Sequence, residues 1–571
     1  MKVCLIGMTP DHQIREKSKL LAPYILKRYA EQYVVPKGIA DIEVIDFSAD
    51  NDPERIASEV SGRKPDMVGL SFYVWNFVSL MKCSKYLKKI LPKVIILGGG
   101  PSISFNAEEV MLEYPQIDAV SFDNTRGEVV FKNFVQCFVN NKSFADVEGI
   151  VYRSGEKLLK KTDAPEEEID VSADVSPYIH NDILLNEERG HYAILETYRG
   201  CHYDCSYCCW GGQRSKIKFI PMDRLQEEIR IVYNNPKVKT VLFTDANILI
   251  NKKRAKEIIQ YMKKQSQFEN IKTQMCMNIS STDPEMAKVL SRLPGFEFCF
   301  GLQTVNQISL NLITERRIQS ELFKKKLEAI KKELPDIEYN IDIMLGLPGD
   351  TLKEYKKTLD FLLSMEPSNI SIAYPIYLLP GSRFYNDKDN LNLNYTNDHP
   401  QRILSTKEFP ECDIDEATNL SIWVQVLIKY YPAISKFFYY LCRNKEEDER
   451  IALMEYWIKE IDGEVNLFKD TNIREAAEIS FEEWDNAKTS LLRYAASAEV
   501  AYKIYSVIYA LHKSSNSKMF ERTISLGMDV FAYYKDHGMN PVGQSAMGLL
   551  PEDYNTYVEK DLNSVYSKFR V

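Results

Sequence analysis

The sequence predicts an α/β protein in three parts: an amino-terminal doubly wound domain (1–150), a partial parallel barrel (191–397) reached through a linker (151–190), and an α-helical region (398–571). Three observations predict this. The chain is 571 residues long, and at roughly 100 to 200 residues per domain that is too much for one ordinary core. Short β-branched runs alternate with amphipathic stretches over the first 125 residues and again after Ala193. That alternation then stops, and long helical patterns replace it.

In the first part, Val3 to Ile6, Ile42 to Ile45, Met67 to Ser71, Val94 to Leu97 and Asp118 to Ser121 read as strands, with helical patterns such as Leu80 to Ile90 between them. Strands alternating with helices form a parallel sheet covered on both faces, of the Rossmann or flavodoxin kind. Ligands of such sheets bind beyond the carboxyl ends of the strands, which singles out Gly7-Met8-Thr9, Ser71 to Phe77, Gly98-Gly99-Gly100-Pro101 and Asn124 to Glu128. A short strand at Gly149 to Tyr152, a charged run and Ser176-Pro177-Tyr178 mark the linker.

Strand candidates resume at Ala193 to Glu196, Thr240 to Thr244, Gln274 to Asn278, Glu297 to Leu302, Tyr339 to Leu345 and Asn369 to Tyr374. Six strand-helix units read as a partial TIM-like barrel. Beyond Asp398 the helical patterns run over Glu416 to Tyr431, Glu447 to Ile461, Phe481 to Leu511 and Lys518 to Tyr534. Trp423, Tyr430, Tyr431, Phe437, Phe438, Tyr439 and Tyr440 read first as core packing at helical spacing and second as a substrate-capping surface.

Composition excludes several classes. With 45% hydrophobic and 27% charged residues the chain is globular, not disordered. A formal net charge of -9 withholds the basic field of general nucleic-acid binding. The run Trp423 to Cys442 is interrupted by Lys429, Pro432 and Lys436, whereas a membrane span needs about 20 mostly uncharged residues; a buried helix is the expectation, with no membrane partner. Met1 to Gly7 reads as a buried strand and not a leader, which predicts a cytoplasmic protein. Eleven cysteines are scattered, except for four between Cys201 and Cys209, which is not a secreted disulfide framework. Cys4, Cys83, Cys137, Cys276, Cys299, Cys412 and Cys442 read as small core residues.

The chemistry concentrates in Arg199-Gly-Cys-His-Tyr-Asp-Cys-Ser-Tyr-Cys-Cys-Trp-Gly-Gly, directly after a predicted strand. Cys201, Cys205 and Cys208 are spaced so that one loop brings three thiolates to a common centre. Structural zinc wants a fourth ligand, usually from a second paired segment, and none appears downstream. His202 and Cys209 are possible extra ligands, but each adjoins a stronger candidate and would have to fold back sharply, so an iron-sulfur cluster is favoured over zinc.

Three cysteines with this spacing in the first strand-to-helix loop of a partial barrel resemble the radical S-adenosylmethionine (SAM) enzymes. The resemblance implies that Cys201, Cys205 and Cys208 hold three irons of a 4Fe-4S cluster and that SAM chelates the fourth. Electron transfer into the sulfonium would then give a 5'-deoxyadenosyl radical. Tyr207 matches the family's aromatic position between the last two cysteines, and Asp245, Asn278, Ser280, Gln303, Leu345 and Gly346, at the ends of later strands, are by resemblance SAM contacts. Asp245 stands where many members carry a glycine-rich tripeptide.

The amino-terminal part resembles the cobalamin-binding members of that family, over roughly residues 1 to 390, with Asp174-Val175-Ser176-Pro177-Tyr178 as a linker of the same kind. Cobalamin contacts implied are Thr9, Ser71, Trp75, Asn76, Gly98, Gly99, Gly100, Pro101, Gly127 and Glu128. Glycines at a strand end would let backbone approach a flat macrocycle. Asp11 and His12 are adjacent, without the spacing and glycine of cobalt-ligating histidine motifs, so His12 is expected not to ligate cobalt and Trp75, in the loop Tyr73 to Asn76, to cover the lower face. The resemblance implies C-methylation of an unactivated carbon in a peptide or small natural product, with an electron donor such as flavodoxin. The alternatives are cyclisation or ring rearrangement without net methylation, polar methyl transfer, and a cofactor sensor or scaffold.

Overall fold

The computed structural model describes residues 1–10, 17–33, 40–123, 125–155, 158–188, 190–210, 215–313, 319–469, 471–479 and 481–513, with Phe520 and Ile524. The expectations for Asp11, His12 and the helix Lys518 to Tyr534 fall wholly or almost wholly outside these residues.

The first sheet has the order Asp41–Ser48, Lys2–Thr9, Met67–Ser71, Ile95–Gly99, Ala119–Ser121, Ile150–Arg153, Leu159–Lys161. Its first five strands are parallel, in the flavodoxin-like order 2-1-3-4-5. The order in which strands are added reverses between Lys2–Thr9 and Met67–Ser71, and the crevice there is the expected ligand position. Val3 to Ile6 are all buried because helices cover both faces, so the strand needs no polar alternation. The last two strands are antiparallel additions. The amino-terminal sheet therefore reaches Lys161, and a boundary at 150 cuts through it.

The linker beyond it is tied down on both sides. Lys27 and Arg28 both meet Asp182, and Glu168 meets Arg126 of the first domain and Lys218 of the barrel. Tyr178 exchanges hydrogen bonds through its hydroxyl with Ile194 of the first barrel strand at 2.9 and 3.1 Å.

The six barrel strands are His191–Leu195, Val238–Phe243, Lys272–Met275, Phe298–Gln303, Tyr339–Met344 and Asn369–Ala373. They form a parallel three and a parallel three, and among the described residues no ladder joins Lys272–Met275 to Phe298–Gln303. One feature the sequence reading missed is Lys17–Ser18, which adds to the free edge of His191–Leu195 in parallel register. Covering an edge removes a row of unpaired backbone groups and fixes the first domain to the barrel.

After the barrel, Ile376–Tyr377, Leu393–Tyr395 and Arg402–Thr406 make a small antiparallel sheet. Residues just past 398 therefore belong with the barrel's closing sheet, and the helices begin at Glu411–Lys429. Arg402 is fully buried, its guanidinium donating to Asp398, Pro400 O and Ala477 O. The run Trp423 to Cys442 is two helices, because Pro432 starts the second, Pro432–Cys442. Phe481 to Leu511 likewise divides into Phe481–Ala495 and Ala498–His512, where the Ser497 hydroxyl accepts from Val500 N at 3.3 Å as an N-cap. Trp423, Tyr431, Phe437, Phe438 and Tyr439 lie in a core continuous with that of the barrel, so their first reading as packing stands. Tyr440 is 40% exposed. No helix among the described residues is long and apolar enough to cross a membrane.

Candidate active site between the first sheet and the barrel

The first barrel strand runs on through Glu196 and Thr197 to Tyr198–Arg199, which pairs antiparallel with Lys218–Phe219. The chain between these short strands carries the cysteines. Gly200 turns into it at φ +96, and a Cβ there would stand 2.6 Å from Lys216 O, so no larger residue fits. Cys201 N donates to Ser215 Oγ at 2.9 Å, Cys208 N to Cys205 O at 3.0 Å, and Trp210 N to Cys208 Sγ at 3.3 Å. On the far side Ser206 donates to Ile313 O and Leu312 O, Phe384 N donates to Ser206 O, and Asp204 pairs with Arg383. The loop is thus held between the barrel and its closing segment.

Cys201 and Cys205 are buried and Cys208 partly so. Among the described residues no three His, Cys, Asp or Glu side chains share one metal-ion position. A cluster does not ask that of them, since each thiolate takes its own iron; three thiols on one shielded loop, one with an N–H aimed at its sulfur, fit that donor set. Burial, and then the neighbouring Cys208, push the Cys209 thiol up to about 12, which keeps it a protonated packing group.

Asp245 fastens the strand that leads into the loop. Its Oδ1 accepts from Thr197 N, Thr197 Oγ1 and Tyr198 N at 3.0, 3.1 and 3.0 Å, while its Oδ2 is buried without a partner. Burial pushes this carboxyl up to about 7 against the pull of those donors. Expected as a SAM contact, it has one oxygen committed to positioning and only Oδ2 open. Tyr198 and Asn247 exchange hydrogen bonds beside it at 2.8 and 3.0 Å.

The other expected SAM residues sit at strand ends as the barrel requires. Asn278 Oδ1 accepts from Ser280 N at 2.9 Å, so this pair forms a turn with Ser280 exposed. Gln303 takes φ +68 at a bulge, and Gly346 takes φ +83. Leu345 is 1% exposed and packs in the main core, and its N–H already donates to Ala373 O at 3.1 Å, leaving only its carbonyl for a ligand. Tyr207 packs against the cluster of Ile313, Met344, Leu347 and Phe384.

Just past Gly346, Asp350 is fully buried; Oδ1 accepts from Asn306 Nδ2 and Thr351 N at 3.0 Å, and Oδ2 has no partner. Burial raises its carboxyl to about 6. The folded state holds the proton more tightly than the unfolded chain, so this group's stabilisation is complete below its unfolded value and is lost as pH rises through about 6. Asp350→Asn removes the titration. Relative to wild type, the variant should gain on the order of 2 kcal/mol between about pH 4 and pH 7, read from urea midpoints; parallel pH dependences contradict this.

Across the seam, Trp75 is 37% exposed, stacks on Tyr73 at 4.5 Å between ring centroids and donates from Nε1 to Met8 O at 3.2 Å. Asn76 is buried and clips its own loop, accepting from Tyr73 N and donating to Ser71 O and Met8 O, so its side chain is spent before any ligand arrives. Thr9 is buried at the end of its strand. Two of the loop glycines answer to the chain's own packing as well. A Cβ on Gly98 would meet Ile103 at 2.7 Å and one on Gly100, at φ +97, would meet Phe72 O at 2.5 Å, so the chain's own packing demands both. Gly99, with Ser121 at 3.8 Å, and Gly127, with nothing within 4 Å, are the positions that leave room, beside Ser71 and Pro101.

Glu128 is, by resemblance, an expected cobalamin contact. In the structure its carboxylate pairs with Arg199, which also meets Glu196 at 3.2 Å. Burial works against the guanidinium, and the two carboxylates overcome it, raising its pKa. This pair ties the start of helix Gly127–Val139 to the residue two before Cys201. Arg199 stood inside the motif but carried no signal of its distant partner. Tyr385 makes a second tie, accepting from Asn106 at 3.3 Å and donating to Glu109 at 2.9 Å.

Comparison with known proteins agrees with this architecture. The B12 binding domain family matches residues 23–131 and the Radical SAM superfamily matches 195–362. The chain thus carries a match to a B12-binding domain followed by a match to a radical SAM domain, a pair that implies a 4Fe-4S cluster, SAM and cobalamin. Among its relatives is the cobalamin-dependent radical SAM methyltransferase TokK of Streptomyces tokunonensis, 25% identical over 56% of this chain and 48% of TokK. Another is the 2-(S-pantetheinyl)-carbapenam-3-carboxylate methyltransferase of Streptantibioticus cattleyicolor, 24% identical over 63% of this chain and 53% of that enzyme. The chain thus spans about half the length of these two relatives. In fold it is similar to OxsB, a cobalamin-dependent SAM radical enzyme solved with aqua-cobalamin and SAM (TM-score 0.57, 14% identity, 93% of this chain and 84% of OxsB). It is also similar to the methyltransferase TsrM of Kitasatospora setae (TM-score 0.54, 16% identity, 70% and 79%).

Proposed function

We propose that this protein is a cobalamin-dependent radical SAM C-methyltransferase acting on an unactivated carbon of a peptide or small natural product. The observation that carries the reading is the seam itself: the three-cysteine loop and the open loops of the first sheet are locked together by Glu128 and Arg199. The names of TokK and the carbapenam methyltransferase support methyl transfer.

When bound, cluster, SAM and cobalamin supply the electron, the radical and the methyl group. The chain supplies placement. Cys201, Cys205 and Cys208 would hold the cluster, Gly99 and Gly127 leave room for the corrin at strand and helix ends, and Trp75 with Tyr73 offers an aromatic face from the loop assigned to the lower side. His12 is assigned no cobalt bond. The unpartnered Asp245 Oδ2 and the strand-end backbone at Leu345 and Gly346 are the SAM contacts in this reading, with the turn at Asn278 and Ser280 and with Gln303. Fixed placement matters because misplacing reacting atoms by about 1 Å can cost 10²-fold in rate. The reading places the enzyme in the cytoplasm with a flavodoxin-like electron donor.

The test is anaerobic turnover with methyl-labelled SAM and candidate substrates. Label in the product together with 5'-deoxyadenosine supports the proposal. Label without 5'-deoxyadenosine means polar transfer, and 5'-deoxyadenosine without label means cyclisation or rearrangement; either overturns it.

A further inference from the structure

The concave face of the barrel is not filled as a closed barrel's is. Along Phe298–Gln303 and Tyr339–Met344 the residues Phe298, Phe300, Leu302, Tyr339, Ile341 and Ile343 are buried against the helices. Cys299, Asn340 and Asp342 alternate with them on the opposite face and keep partial exposure. Parallel register sets Cys299 beside Asn340, Asn340 beside Asn369, and Asp342 beside Ser371. A complete parallel barrel fills this space with packed, mostly apolar side chains; here it is lined with hydrogen-bonding groups.

Those groups are unbalanced toward acceptors. Asp342 Oδ1 takes Asn340 Nδ2 at 2.9 Å, and both its oxygens take the Cys299 thiol at 3.0 and 3.2 Å, a weak donor. Asn340 Nδ2 also reaches Ser371 Oγ at 2.7 Å, while the side-chain oxygens of Asn340 and Asn369 are buried without a partner. No Lys, Arg or His among the described residues pairs with Asp342. Glu196, the nearest strand-end carboxylate of the first strand, is already taken by Arg199. Asp342 therefore has no cationic partner among the described residues, and an incoming N–H cation would make charge-assisted hydrogen bonds with it.

We propose that the barrel lumen is a seat for an organic cation bearing N–H donors, with the Asp342 carboxylate as its anchor and the Asn340 and Asn369 carbonyl oxygens as further acceptors. On the functional reading above, this makes the substrate one that carries a protonated amine or guanidinium near the carbon to be methylated. An anionic substrate group would meet repulsion and no donor able to neutralise it.

Cys276 reports on the lumen without any turnover. It is exposed at the end of Lys272–Met275, on the face that alternates with the buried Thr273 and Met275. Holoenzyme, its cluster cysteines bound to iron, is treated with a cationic trimethylammonium-ethyl or an anionic sulfonatoethyl methanethiosulfonate, and labelling of Cys276 is timed by peptide mass spectrometry. Each rate is divided by that reagent's rate with free 2-mercaptoethanol. The cationic reagent should win by about tenfold in wild type, the preference should collapse in Asp342→Asn, and it should persist in Asp342→Glu. An equal rate for both reagents in wild type, or an undiminished preference in Asp342→Asn, overturns the proposal. SAM chemistry does not enter this readout, so its failure and that of the proposed methylation are separate results.

Discussion

Replacing Cys201, Cys205 and Cys208 together by Ala should leave a folded protein that lacks the brown absorbance of an iron-sulfur cluster, forms no 5'-deoxyadenosine above background and transfers no methyl group. The loss is total and not graded, because the thiolates are the only attachment the reading gives the cluster, and removing an electron source does not merely raise a barrier. Folding survives because the loop is held by other bonds, from Ser206 to Ile313 and Leu312 and from Asp204 to Arg383. Each substitution removes only a small side chain, for which a cost of about 1 kcal/mol is typical. The discriminating control is the first domain. Its sheet and loops touch none of these sulfurs through the contacts described, so cobalamin binding should persist in the triple variant. Loss of cobalamin along with iron would mean that the protein had collapsed.

Arg199→Ala should be the most damaging single change outside the cysteines. The guanidinium side chain is 23% exposed and faces Glu128 and Glu196, whose side chains are 12% and 24% exposed. Removing it leaves two neighbouring carboxylates without their cation, and breaking a buried pair in this way costs about 3 kcal/mol or more. Its effect on function is expected to divide. 5'-Deoxyadenosine formation depends on the barrel, whereas methyl transfer also depends on how the first domain is held against it, so methyl transfer should fall further, by about 10²-fold. Glu128→Gln, which keeps a hydrogen-bond acceptor, should fall between wild type and Arg199→Ala. Equal loss of both products in Arg199→Ala, or no loss of either, contradicts the proposed coupling.

Much of this architecture was legible because burial on both faces leaves continuous apolar runs, as in Val3 to Ile6, and because the three-cysteine spacing has few other chemical uses. What could not be read depends on distant partners. Arg402–Thr406 contains an arginine, a serine and a threonine, and only its pairing with Leu393–Tyr395 and Ile376–Tyr377 makes it a strand. The break at Ser497 hides within a helical pattern that runs on past it, and only the cap geometry marks it. Gly98 and Gly100 read as ligand cradles, and a second demand on them, that a Cβ there would strike Ile103 and Phe72, appears only once the chain is folded. Asn340 and Asp342 did carry a local signal, two polar residues alternating within an apolar strand, which separates a lumen face from a packed one.

The account rests on one chain carrying a cluster with an iron left open for SAM, next to a corrinoid. Metal analysis of anaerobically reconstituted protein, paired with the electron paramagnetic resonance spectrum of its reduced form with and without SAM, tests this most directly. The predicted result is about four irons and four sulfides for each chain, a stoichiometric corrinoid, and a cluster signal that changes when SAM is added. Protein that holds zinc or no iron, or a cluster whose signal is indifferent to SAM, contradicts it.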